Sequence, residues 1–365
     1  MSTSEHETDH EPVAWDVALR IVREASRFNP TFESRVHRDL DADFERVTAR
    51  AEVLVEETTG LRSTFGPTRS LVIDRTGWSE ANVGSLRRLL APVGRKLAES
   101  GEEGRRALSP AARAAAGVEV GLLLTWMASR VLGQYDLMPN EGDDSGGLVY
   151  FVGPNVVALE HRFGFDPAEF RLWLALHEVT HRLQFTGVSW MRPYFIGLIE
   201  RGTSVGVPDV RAVLDSLRRA AADFWEGQNP LADGGIVGLI ASSEQLATLR
   251  EAQALMSLLE GHAEIVMARA GASEVPNAAR FGEVLAQRRA SARGLVKLAQ
   301  QLVGIEAKLR QYSEGRHFIE AVEAEGGDAL FSRVWEGPEM LPSLDEIRSP
   351  SRWIARATEV TTPSA

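Results

Sequence analysis

The stretch Phe170-Arg171-Leu172-Trp173-Leu174-Ala175-Leu176-His177-Glu178-Val179-Thr180-His181-Arg182-Leu183-Gln184-Phe185 decides how the rest of the sequence is read. Apolar residues recur along it three and four apart, the spacing of an amphipathic helix. Just upstream, Asp166-Pro167 supplies a capping side chain followed by proline at the start of the first turn. The pattern predicts a helix over 166–185. Residues four apart share a helix face, so the imidazoles of His177 and His181 can reach one metal ion. Glu178 projects to the side, where a carboxylate can take a proton from water and pass it to a leaving amine. Phe170, Trp173 and Leu174 share the histidine stripe and direct it inward. The plainer reading is two hydrogen-bonded helix histidines with no metal, and Arg182 favours it, because zinc-peptidase helices usually carry an uncharged residue after the second histidine.

Catalytic zinc takes three protein ligands and leaves a position open. The chain has no cysteine, so a third ligand must be a histidine or a carboxylate. Glu260-Gly261-His262-Ala263-Glu264 offers three candidates: Glu260, Glu264, and His262, which would give a three-histidine site. A segment with no metal role is the fourth reading. A carboxylate followed by Gly, with a small residue two further on, resembles the third-ligand segment of glutamate-type zincins. On that resemblance Glu260 is the ligand. Glu264, one turn later, would accept a hydrogen bond from a ligating imidazole, and Gly261 would let helices approach closely. The separation from His181 to Glu260 is long for that class and implies an insertion over or beside the cleft.

Outward from this centre the pattern is mainly helical. Helical spacing is read at 13–28, 32–57, 81–97, 111–132, 191–201, 208–225, 243–270 and 293–324. One strand is read at 148–152, turned by Gly153-Pro154-Asn155, with 156–159 continuing extended. Just upstream of the metal helix, such a strand could be an edge that binds an extended peptide. Residues 1–12 read as a disordered acidic tail. Residues 13–340 read as one domain, with a helical part at 13–139 and a metal-site part at 148–335. Prolines at 338, 342, 350 and 363 suggest an irregular C-terminal tail over 341–365.

The composition narrows the partners. A net charge of −11 provides no basic surface for phosphates, which argues against nucleic acid. The apolar run at 118–128 is interrupted by Glu119 and reads as too short for a bilayer. With no signal-peptide pattern at the N-terminus, the expected location is cytoplasmic and no membrane partner is expected. Further along, Tyr312 and His317 are candidate donors to the oxyanion of a tetrahedral intermediate, although local hydrogen bonds and a solvated basic face are the simpler reading of both.

Taken with residues 132–136, 149–159 and 308–318, the His-Glu-x-x-His helix and the Glu260 segment resemble a known family over roughly residues 15–335. It is an uncharacterised actinobacterial zincin-like metallopeptidase family, often labelled as associated with deazaflavin-cofactor biosynthesis. No deazaflavin or nucleotide-binding motif accompanies the resemblance in this sequence. The resemblance implies a mainly α zincin-like fold with a small β element beside the metal helix. It also implies one zinc ion at His177, His181 and Glu260, with Glu178 in the catalytic position. The function expected from this is a zinc-dependent hydrolase, most simply a metallopeptidase acting on a peptide or small amide. A helical binding or scaffold protein that retains the site without hydrolysis is the alternative, and the position of Glu260 relative to the two histidines distinguishes them.

Overall fold

A computed structural model describes residues 10–26, 34–138, 146–203, 243–290 and 305–359. Its elements run α1 Trp15–Ser26, α2 Ser34–Thr59, β1 Arg69–Ile73, α3 Arg75–Glu99, α4 Gly101–Ala107, α5 Pro110–Ala128, β2 Gly133–Tyr135, β3 Leu148–Val152, α6 Gly153–Phe163, α7 Pro167–Thr186, α8 Met191–Thr203, α9 Ser243–Ala270, α10 Ala278–Ala290, α11 Ile305–Phe331, α12 Leu344–Arg348 and α13 Pro350–Glu359. The fold is mainly α with a small three-stranded sheet, as expected. The helix predicted at 208–225 lies outside the described residues.

The chain divides into two compact units, Met1–Arg192 with Val266–Phe281, and Pro193–Ile265 with Gly282–Ala365. In the first, the strand order is β1-β3-β2, with β1 parallel and β2 antiparallel to β3. Leu148–Val152 is therefore the central strand, not an edge, and β2 is the strand nearest the metal helix. The two flanking strands are short, and the sequence analysis missed both. Residues 156–159 are helical rather than extended, because Pro154 starts α6 instead of closing a turn.

Alternation along β3 sends Val149 and Phe151 to one face, where Phe151 stacks on Phe44 of α2 at 3.9 Å between ring centroids. On the other face Val152 joins Val13, Trp15, Val22, Trp78, Val83 and Leu124 in a cluster from α1, α3 and α5. Helix α5 meets the backbone at and just before the start of α1, since a Cβ on Gly117 or Gly121 would lie 2.5 Å from Ala14 O or 2.8 Å from Ala18 O respectively. By length and composition alone α5 is apolar enough to cross a membrane. The run read from sequence was shorter because it left out the alanine-rich first turns.

In the second unit residues 341–359 of the segment expected to be an irregular tail are folded, the remainder lying outside the described residues. Trp353 is fully buried against Phe318 of α11 and donates its indole N–H to Met340 O at 2.8 Å. Ser343 and Glu346 cap α12 reciprocally, and Glu346 also accepts from Arg356 of α13 at 2.8 Å. The prolines misled the sequence reading: Pro350 opens a helix and Pro338 a short 3₁₀ turn, where its missing N–H has no consequence.

Candidate metal centre

The frame that holds α7 is polar. Asp166 caps it, accepting from the amides of Ala168 at 2.9 Å and Glu169 at 3.1 Å. Arg171 makes two 2.8 Å bonds to Glu160 of α6. Arg182 is completely buried and donates to Glu52 at 3.1 Å, Thr68 Oγ1 at 3.0 Å and Gly66 O at 2.8 Å. Glu52 also takes the amide of Thr68 at 2.9 Å, so one ion pair ties α7 to α2 and to the chain entering β1. Burial pulls the Arg182 guanidinium down from its ordinary range, while Glu52 opposes that shift. Arg182 thus anchors the metal helix, and its charge is not evidence against a metal site.

On this helix His177 Nε2 and His181 Nε2 lie 3.2 Å apart, their rings nearly perpendicular at 84°. His181 Nδ1 donates to the side-chain carbonyl of Gln184 at 3.0 Å, which leaves Nε2 as the lone-pair nitrogen. Two nitrogens held at about 2.05 Å by a tetrahedral zinc ion lie about 3.3 Å apart, so the spacing of the pair fits zinc. One ligand atom from each of His177, His181 and Glu260 falls within 4.8 Å of the others. Imidazole, imidazole and carboxylate form a donor set suited to zinc.

Glu178 is buried and accepts the backbone N–H of Tyr135 in β2 through Oε2 at 3.0 Å. Tyr135 is itself fixed, with its hydroxyl donating to Gly146 O at 2.8 Å and its ring facing Phe185 of α7 at 6.0 Å. Burial pushes its phenol up to about 12, against the influence of Arg192 and Arg182. Next to it, burial also raises the Asp136 carboxyl above the usual carboxylate range, despite the bond from the Met138 amide. Tyr135 therefore stays protonated through the neutral range.

The readings of Glu264 and His317 need correction, and His262 drops out as an alternative third donor. Glu264 is about half exposed and pairs with Arg316 at 3.4 Å, so it does not orient an imidazole. Gln184 does this for His181 instead. The signal for it was available in sequence, since Gln184 follows His181 by three residues on the same helix. His262 is buried between Phe331 and Trp335, 5.6 and 5.2 Å away, and is not in the donor group. His317 is exposed on α11, where an oxyanion donor would gain nothing from exclusion of water. The side chain of Tyr312 lies outside the described residues. The reading of Gly261 holds: a Cβ there would lie 2.4 Å from Arg316 N, and one on Gly315 would lie 1.8 Å from Ser257 O. Helices α9 and α11 cross at these two glycines.

The model of a family described as zincin-like metallopeptidases matches residues 13–354. A solved structure from Chloroflexus aurantiacus, described as a "putative hydrolase with a novel fold", shares 31% identity with a TM-score of 0.70 and covers 95% of this chain and 99% of its own. Among curated proteins no match is found. Two histidines one turn apart, a buried glutamate between them and a carboxylate within reach, on a chain matched by this family over nearly its whole length, support one conclusion: the protein belongs to the zincin-like metallopeptidases.

Proposed function

We propose that the protein is a zinc-dependent hydrolase of peptides or small amides. The observation that carries this reading is the convergence of His177, His181 and Glu260 donor atoms within 4.8 Å, beside a buried glutamate. When bound, zinc supplies a Lewis acid that polarises a carbonyl and lowers the pKa of water. His177, His181 and Glu260 would hold the ion, and Gln184 keeps the His181 ring in the tautomer that ligation would require. Glu178 removes a proton from the attacking water and returns it to the departing amine, the single carboxylate serving in turn as base and acid.

The fluorescence-quenched peptide library is the test substrate, with wild type compared against Glu178→Gln and His177→Ala. Glu178→Gln is expected to keep its zinc and lose hydrolysis by about 10³-fold or more, since proton transfer by a placed side chain contributes about 10²–10⁴-fold. His177→Ala is expected to lose both zinc and turnover. Undiminished hydrolysis by Glu178→Gln would contradict the assignment. A zinc-loaded wild type that cleaves no peptide or small amide would favour the scaffold reading instead.

A further inference from the structure

We propose that Gly133 and the backbone amide of Tyr135 form a seat that fixes the Glu178 carboxylate, which makes β2 part of the machinery that positions the proton carrier. The inference rests on the reading of Glu178 given above and adds two positioning groups to it.

Glycine inside a strand is unfavourable, because it gives up more conformational freedom than other residues and packs no side chain. Six other glycines of the described residues have positive φ, but Gly133 does not, so its backbone conformation does not require glycine. What requires it is space. The three atoms nearest a Cβ built on Gly133 all belong to Glu178: Cγ at 2.7 Å, Oε1 at 2.8 Å and Cδ at 3.0 Å. All three are closer than such contacts normally come.

The register of β2 explains the second group. It is the outer strand and pairs antiparallel to β3 with Gly133 opposite Phe151 and Tyr135 opposite Val149. Bonds to β3 come from the flanking positions, Asp136 N to Leu148 O at 2.8 Å and Val152 N to Leu132 O at 2.9 Å. The backbone groups of 133 and 135 therefore point away from the sheet. An outward amide on an edge strand invites unwanted pairing, and here the Tyr135 amide instead holds Glu178 Oε2 at 3.0 Å. The carboxylate is fixed at one oxygen by this bond and along its stem by the bare Cα of Gly133.

The test is a double-mutant cycle on the full-length zinc-loaded protein, read by thermal unfolding, zinc content and hydrolysis of the peptide library. Gly133→Ala is expected to lower the unfolding midpoint by about 5 °C in the wild-type background, because the added methyl overpacks the contact with Glu178. In the Glu178→Ala background the same change is expected to shift the midpoint by less than about 2 °C, because the group it collides with is gone. If Gly133→Ala alone fails to fold, recovery of folded protein in the double variant reports the same coupling. Zinc content stays near that of wild type in Gly133→Ala, while kcat falls about tenfold or more and KM changes little. An equal loss of stability in both backgrounds would overturn the contact, and an unchanged kcat would overturn the positioning role. Failure of wild type to hydrolyse any peptide would count against the hydrolase reading and leave the stability coupling to decide the seat.

Discussion

The two helices that carry the candidate metal donors are held in opposite ways. Helix α7 is fixed by charge and hydrogen bonding, with Asp166 at its start, Arg171 on Glu160, and Arg182 on Glu52 and the Gly66 carbonyl. Helix α9 is fixed against α11 by the absence of side chains, its backbone meeting that of α11 at Gly261 and Gly315. The first device is directional and tolerates little loss of a partner. The second works by shape alone and tolerates no addition of atoms. Two imidazoles that must share one ion need a fixed rotation about their helix, which directional bonds supply. A single carboxylate needs its helix at the right depth, which close backbone contact supplies.

This contrast predicts different sensitivities. The largest effect is expected from Arg182→Met, which leaves Glu52 without its buried cation and the Gly66 carbonyl without this donor; it should cost about 3–4 kcal/mol in urea unfolding. A cost below about 1 kcal/mol would show that the helix does not depend on its ion pair. Next comes Gly315→Ala, where the added Cβ collides with a carbonyl that cannot rotate away; about 2–3 kcal/mol is expected from the same measurement. Stability equal to wild type there would mean that the glycine crossing does not set the depth of α9. The smallest effect is expected from Gln184→Leu, which keeps the volume and deletes the acceptor for His181 Nδ1. Zinc affinity should fall about tenfold, read by competition with a chromophoric chelator, as loss of a bond to a ligating imidazole generally causes.

The same contrast explains which parts of the molecule were legible in the sequence. Helix α7 was readable because its periodicity, cap and histidine spacing are local. The bounds of α9 were read as 243–270 and are observed as Ser243–Ala270, and Gly261 signalled a close crossing because glycine within a long helix otherwise has no reason to be there. Long-range partners were hidden. Arg182 looked unfavourable because its partner Glu52 lies 130 residues earlier in the chain. Strand β2 is three residues long, too short for alternation to register, and β1 begins with the polar pair Arg69-Ser70 and leaves Leu71 exposed, so it lacks the apolar run that marked β3. The segment at 341–359 looked irregular because Pro350 starts a helix instead of breaking one, and because Trp353, which anchors it, is buried by Phe318 of a distant helix. Glu264 seemed suited to orient an imidazole, but Arg316 of α11 pairs with it.

The most direct test of the account is the zinc content of the purified protein, by elemental analysis, for wild type, His177→Ala and Glu260→Ala. One zinc ion per chain in wild type, lost or sharply weakened in both variants, is the predicted result. A wild type that takes up no zinc when the metal is supplied, or a Glu260→Ala variant that binds it as tightly as wild type, would contradict the three-donor centre.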